Sequence, residues 1–239
     1  MRVLFFQHAP FEGPGAVGAW AAARGHMAQT VMAVTGEFPP PSAYDLLVVL
    51  GGPMGANDDA DHAWLAAEKS AIRTAVDAGK HVFGVCLGAQ LVASVLGARV
   101  GRNPELEIGW FPVTLTPDGS ASRVFGELPV EFIAGHWHGD TFEIPEGAVR
   151  TAFSAACPNQ AFEYDDGRVV GVQFHLEWDA DGAEALVESC SSELVPGPTV
   201  ATAEAFLAGE RDHGAKSRKL LCTLLDGILA STRLGSRQP

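Results

Sequence analysis

Apolar positions in the first hundred residues fall into two spacings. Val3 to Phe6, Leu46 to Leu50 and His81 to Phe83 are short, nearly continuous apolar runs. That is the pattern of strands covered on both faces. Between them apolar residues recur at helical spacing. One such stretch runs from about Ala16 to Arg24 and closes at Gly25. A second, from Asp61 to Ala78, sets Trp64, Leu65, Ala71, Ile72 and Val76 on one face and closes at Gly79. Met27 to Val34 reads as a further strand, with Pro39-Pro40-Pro41 breaking the chain after it. Strands alternating with helices predict βαβ units and a parallel sheet. Functional loops then belong at the carboxyl ends of the strands.

The texture changes after Gly109. Short β-prone runs at Phe111–Leu115, Val130–Ala134, Val149–Ala155, Gln160–Tyr164 and Val169–Phe174 are separated by turn formers. A helix is predicted from Asp179 to about Ser192, then a break at Glu193–Pro198. Helices are predicted again over Thr202–Leu207 and Lys216–Ala230, with a polar, fraying end from Ser231 to Pro239. The spacing contains no internal repeat. Residues 1–195 are read as the main domain, and 196–239 as a helical tail packed on it or extending it.

Composition narrows the function classes. The chain has 239 residues, 47% hydrophobic and 19% charged, enough for a sizeable core. A net charge of −13 argues against nucleic acid and anionic membranes as partners. No window reaches a membrane-spanning length, and the apolar run at the N-terminus is too short for a signal peptide. Cysteines at 86, 157, 190 and 222 form no C-x-x-C pair, so the expected location is a reducing cytoplasm.

Four local patterns carry candidate chemistry. Gly84-Val85-Cys86-Leu87-Gly88-Ala89-Gln90 puts a cysteine where a strand turns into a helix, flanked by glycines that permit the turn. It is the thiol counterpart of the Gly-x-Ser-x-Gly elbow, which lifts a nucleophile to the top of a sheet and aims helix amides at it. Gln173-Phe174-His175-Leu176-Glu177 follows a strand-like run, so His175 and Glu177 share a face. A base and an orienting carboxylate are what a cysteine nucleophile needs. Gly51-Gly52-Pro53-Met54-Gly55 follows a buried strand and can expose backbone amides to an oxyanion, but lacks the ending of a phosphate loop. His136-Trp137-His138-Gly139-Asp140 has metal-chelating spacing and resembles the ligand run of metallo-β-lactamase-like hydrolases. Their next residue is a histidine, whereas here it is Thr141, and only His175 and His213 follow. The expected metal content is none.

Taken in order, Gly51–Gly55, Gly84–Gln90, His138–Asp140 and Gly171–Glu177 resemble class I glutamine amidotransferases of the triad type. The standalone, GMP-synthase-like group is the nearest in pattern. Glu12–Gly15, Glu107–Trp110 and Asn159–Phe162 resemble that group too. The resemblance spans roughly residues 1–178.

It implies a three-layer α/β fold with a mainly parallel, flavodoxin-like sheet, and glutamine-amide hydrolysis through a thioester on Cys86. His175 would move the proton and Glu177 would orient it. The N–H groups of Gly52 and Leu87 would form the oxyanion hole. Gln90 and a loop carrying Trp137, His138, Gly139 and Asp140 would hold the substrate. Leu176 stands where family members often have proline; both catalytic side chains remain. No cofactor is implied. The chain shows no glycine-rich nucleotide loop or ATP-pyrophosphatase domain, so ammonia would go to a separate synthase subunit. The alternatives are a standalone γ-glutamyl peptidase and a catalytically silent binding module of the same fold.

Overall fold

A computed structural model describes residues 1–231. The apolar runs become β1 (Arg2–Gln7), β3 (Leu46–Val49) and β4 (His81–Val85), and β2 (Met27–Met32) lies outside β1 as a largely exposed edge. All pair in parallel, and β9 (Val169–Val172) adds to β4 in the same sense. The helical stretches become α1 (Gly15–Ala23) and α2 (Trp64–Asp77), and α3 (Leu87–Val95) follows β4. Helix α3 starts directly at Leu87, the residue after Cys86.

The second half of the sheet is antiparallel. β5 (Val100–Leu115), β6 (Glu131–Phe142), β7 (Val149–Phe153) and β8 (Ala161–Tyr164) complete the order β2-β1-β3-β4-β9-β8-β7-β5-β6 among the described residues. A short helix, α4 (Pro117–Ala121), follows β5; its cap is Thr116, whose side chain accepts from Gly119 N.

This half departs most from the sequence expectation. Phe111–Leu115 is only the end of a sixteen-residue strand, and Val130–Ala134 only the start of a twelve-residue one. Residues 137–140, expected on a loop, lie within β6. The polar residues on these strands break the apolar alternation, yet Asn103, Glu107, His136 and His138 are buried. At the first sheet edge the expected strand to Val34 stops at Met32, where a 3₁₀ turn over Ala33–Thr35 takes over.

Two apolar layers sandwich the sheet. One packs Val17 and Trp20 of α1 together with Leu221, Leu224, Leu225 and Ile228 of a later helix, α7 (Ala215–Ala230). The other packs Leu65 and Ile72 of α2 with Leu91 and Val92 of α3. Each fully buried Leu or Ile is worth roughly 1.5–3 kcal/mol over exposure. The α7 face is therefore a structural part of the sandwich, and Trp20 Nε1 donates to its Asp226 at 3.0 Å. Before α7 come α5 (Ala180–Cys190) and α6 (Ala203–Gly209), and a π-helical turn over Glu210–Gly214 carries α6 into α7. The expected fraying end lies outside the described residues beyond Ser231. No helix among the described residues is long and apolar enough to cross a membrane.

Candidate active site

Three carboxyl-end loops of the parallel strands converge on Cys86. The residue has φ 52° and ψ −111°, a conformation that only a sharp strand-to-helix turn requires, and one rare for a side-chain-bearing residue. Flanking glycines make room for it. A Cβ on Gly84 would lie 2.6 Å from Gly88 O, and one on Gly88 would lie 1.9 Å from Val49 O. The elbow is anchored to the next strand by Cys86 N donating to Val172 O at 2.8 Å. Gln173 Nε2 approaches the sulfur at 3.5 Å, and the thiol faces Trp137 O at 3.8 Å.

His175 arrives from the end of β9. Its backbone pairs with Gly135 of β6, by His175 N to Gly135 O at 2.7 Å and Gly135 N to His175 O at 3.1 Å. This stitch joins the two halves of the sheet at the site. His175 Nδ1 meets Glu177 Oε1 at 2.5 Å, and Glu177 Oε2 accepts from Leu176 N at 3.0 Å. Leu176, where a proline would have no N–H, thus supplies a hydrogen bond to the carboxylate. The His175 ring stacks on Trp178 with centroids 3.9 Å apart and planes 15° apart. Burial works against a charge on His175. The Glu177 carboxylate and hydrogen bonding to Cys86 and Glu177 outweigh it and raise the group to about 10. Cys86, His175 and Glu177 therefore form one buried constellation, with Glu177 on one side of the ring and the thiol on the other.

The cleft over Cys86 has a volume of about 270 Å³. Gly52 and Leu87 line it, as do Trp137, His138, Gly139 and Asp140. Gln90 lines it as well, but its amide is engaged, donating to Gln173 Oε1 at 3.2 Å and Asp140 O at 3.4 Å. Trp137 Nε1 donates to Glu193 at 3.2 Å, so the segment after α5 closes one side. Asp140 pairs with Arg102 at 3.4 Å on the rim.

The histidines of β6 do not gather on the Asp140 carboxylate. Glu107 of β5 stands with His136 and His138 instead, with ligand-type atoms within 4.8 Å of one another. Hydrogen bonds close this cluster: Glu107 meets His138 Nε2 at 3.0 Å and accepts from Gln160 Nε2 at 2.7 Å and Ser154 Oγ at 2.9 Å. Burial holds His136 down at about 4 against the opposing pull of Glu107. The cluster reads as a polar brace beneath the strand that carries Trp137.

Several residues at the site carry no local signal that marks a role. Glu12, in the loop after β1, lines the cleft and a second cavity of about 150 Å³ behind Glu177. Burial pushes its carboxyl up to about 7; the charges of His175 and His8 oppose this, and those of Glu177 and Glu193 reinforce it. Gln173 beside the sulfur, Trp178 under His175 and His8 at the end of β1 complete the set. The strand-end rule could have flagged His8 and Glu12, which both follow a buried parallel strand.

An elbow cysteine, a carboxylate-paired histidine and a glycine loop thus meet at one end of this sheet. Residues 26–187 match the family model for glutamine amidotransferase class-I, and the chain belongs to that family. It is 37% identical over 199 residues to the glutamine amidotransferase-like protein YfeJ of Salmonella typhimurium, covering 81% of this chain and 83% of that one. It is 33% identical over 132 residues to the glutamine-hydrolysing GMP synthase of Lacticaseibacillus casei, 55% of this chain but 24% of that protein. Among solved structures, a glutamine amidotransferase from Thermotoga maritima superposes with a TM-score of 0.86 at 31% identity, covering 97% of this chain and 99% of the other. One from Methylobacillus flagellatus superposes at 0.85 and 28% identity, covering 100% and 98%.

Proposed function

We propose that this protein hydrolyses the side-chain amide of glutamine, or a closely related γ-glutamyl amide, through a thioester on Cys86. The observation that carries the reading is the buried His175 ring, held by Glu177 at 2.5 Å on Nδ1 and lining the same cleft as Cys86. Cys86 Sγ attacks the amide carbon with its proton already resident on His175, the form that the raised ring favours. The carbonyl oxygen gains charge and is met by the N–H groups of Gly52 and Leu87. His175 then gives its proton to the departing nitrogen, which leaves as ammonia. Water attacks the thioester, again losing a proton to His175, and glutamate leaves as the thiol is restored.

Trp137 to Asp140 on β6, with Gln90 behind them, form the wall against which the amino-acid end rests. Every one of these groups falls within residues 1–195, and the helices after them act as scaffold. The relatives named as glutamine-hydrolysing GMP synthases support a separate synthase as ammonia acceptor. The free state of all four cysteines suits a reducing compartment.

The test is ammonia release from glutamine and from γ-glutamyl peptides by the purified protein, together with labelling of Cys86 by a glutamine-derived chloroketone. Ammonia release or labelling in the wild type, absent from Cys86→Ala, supports the reading. Turnover of γ-glutamyl peptides alone moves the substrate to that class. Neither turnover nor labelling, with or without candidate synthases, overturns it in favour of a silent module.

A further inference from the structure

Beneath the glycine loop lies a buried ion pair that no step above uses. His8 follows the last residue of β1, and Glu68 projects from the inner side of α2, near Leu65 and Ile72. Both side chains are 0% exposed. His8 Nε2 meets Glu68 Oε1 at 2.9 Å, and His8 Nδ1 meets Gly51 O at 2.8 Å. Both ring nitrogens thus face oxygen acceptors, and a ring that donates to both is the imidazolium. Burial works against that charge, but Glu68 outweighs it and raises His8 above the usual histidine range.

The pair is a poor stabiliser. Desolvating two charges is costly, and Glu68 Oε2 is buried with no hydrogen-bond partner. Apolar residues of similar size would suit this layer at least as well.

What the pair does hold is one peptide plane. The Gly51 carbonyl and the Gly52 N–H belong to the same planar trans unit and point in opposite directions. With the oxygen fixed on His8, the N–H is turned to the other side of the loop, and Gly52 lines the cleft over Cys86. Two consecutive glycines would otherwise let this plane rotate at little cost. Neither can be replaced by a stiffer residue. A Cβ on Gly52 would lie 2.8 Å from His8 Cβ, Leu87 Cδ2 and Met54 Sδ, and one on Gly51 would lie 2.1 Å from Glu12 Oε2. Rigidity that the loop cannot supply itself must come from a neighbour.

We infer that His8 and Glu68 are a positioning pair that locks the Gly51–Gly52 peptide with its N–H presented as an oxyanion donor. The inference rests on the thioester reading above. Neither residue touches the reacting atoms; both act through the backbone of Gly52.

Two reagents separate this role from a structural one. A chloroketone reacts with a thiol through a tetrahedral adduct whose oxygen needs the donor, whereas iodoacetamide alkylates the same thiol without one. In the double variant His8→Leu/Glu68→Leu, which leaves no lone buried charge, chloroketone labelling of Cys86 and kcat for glutamine are expected to fall about 10²-fold. Iodoacetamide labelling, KM and the melting temperature should stay close to wild type. Glu68→Gln keeps an acceptor for His8 and should fall between the two.

Parallel losses with both reagents, or chloroketone labelling at the wild-type rate in both variants, would overturn the lock. A wild type that takes iodoacetamide at Cys86 but neither takes the chloroketone nor turns over glutamine would instead remove the functional reading, and the lock with it.

Discussion

Two buried histidine–carboxylate pairs at this site differ in one respect. His138 spends both ring nitrogens, Nδ1 on Asp140 O at 3.0 Å and Nε2 on Glu107 at 3.0 Å. His175 spends Nδ1 on Glu177 and keeps the other side for Cys86. Burial and a carboxylate partner are common to both, so neither makes a base. What distinguishes His175 is that only one of its nitrogens is committed to the fold, while the ring lines the cleft with Cys86. The Glu107 pair instead braces the antiparallel half. Burial works to raise Glu107, but the hydrogen bond from His138 and the charges of both histidines hold it below the usual carboxylate range.

The sharpest way to break this comparison is to remove each ring. His175→Ala is expected to lower kcat for glutamine on the order of 10⁴-fold, since a triad base acts as a unit with its nucleophile. A loss of a few fold would mean that another base serves Cys86. His138→Ala should cost mainly stability, about 1–3 kcal/mol in denaturant unfolding, because Glu107 loses one buried partner while keeping Gln160 and Ser154. Its effect on kcat should be far smaller. If His138→Ala matched His175→Ala in rate while keeping its melting temperature, the two roles would have been exchanged.

Acidity gives finer tests. His175 is raised from 6.5 to about 10 in the folded chain, so its contribution to stability is full below pH 6.5 and is lost as pH rises through 10. A wild-type melting temperature that does not fall relative to His175→Ala over that range would contradict the pairing. Glu12 is raised from 4.5 to about 7, which favours its protonated form in the folded chain. Its contribution is full below pH 4.5 and is lost as pH rises through 7. Glu12→Gln should therefore gain stability relative to wild type between pH 5 and pH 8. It should also erase any inflection near pH 7 in the alkylation rate of Cys86, since Glu12 lies beside His175. An unchanged profile would remove Glu12 from the electrostatics of the site.

The same contrast explains what could be read in the chain. The parallel half was legible because its strands are buried on both faces: all of Leu46–Val49 and His81–Val85 is buried, and such runs show plainly in a sequence. Cys86 was legible because its glycines mark the elbow, and His175 and Glu177 because two residues along an extended chain share a face. The hairpin of β5 and β6 was not, because its buried positions include Glu107, His136 and His138. Their polarity is neutralised by one another, across 29 residues or more of sequence, so local alternation carries no trace of it. His8 and Glu68 escape for the same reason. Each is unremarkable where it stands, and their meaning comes from a contact sixty residues apart.

The positive φ of Cys86 has a consequence for how this chain can change. At 52° the backbone is easier for glycine than for any residue with a side chain. Cys86→Gly should therefore be more stable than Cys86→Ala by about 1 kcal/mol, the reverse of the usual order, and a thermal melt of the two will show it. Cys86 sits where the fold alone would choose another residue. A laboratory selection for heat resistance, run with no demand for turnover, would find its gain by discarding the thiol. On the thioester reading, the thiol is a burden on the scaffold, kept only while something selects for turnover.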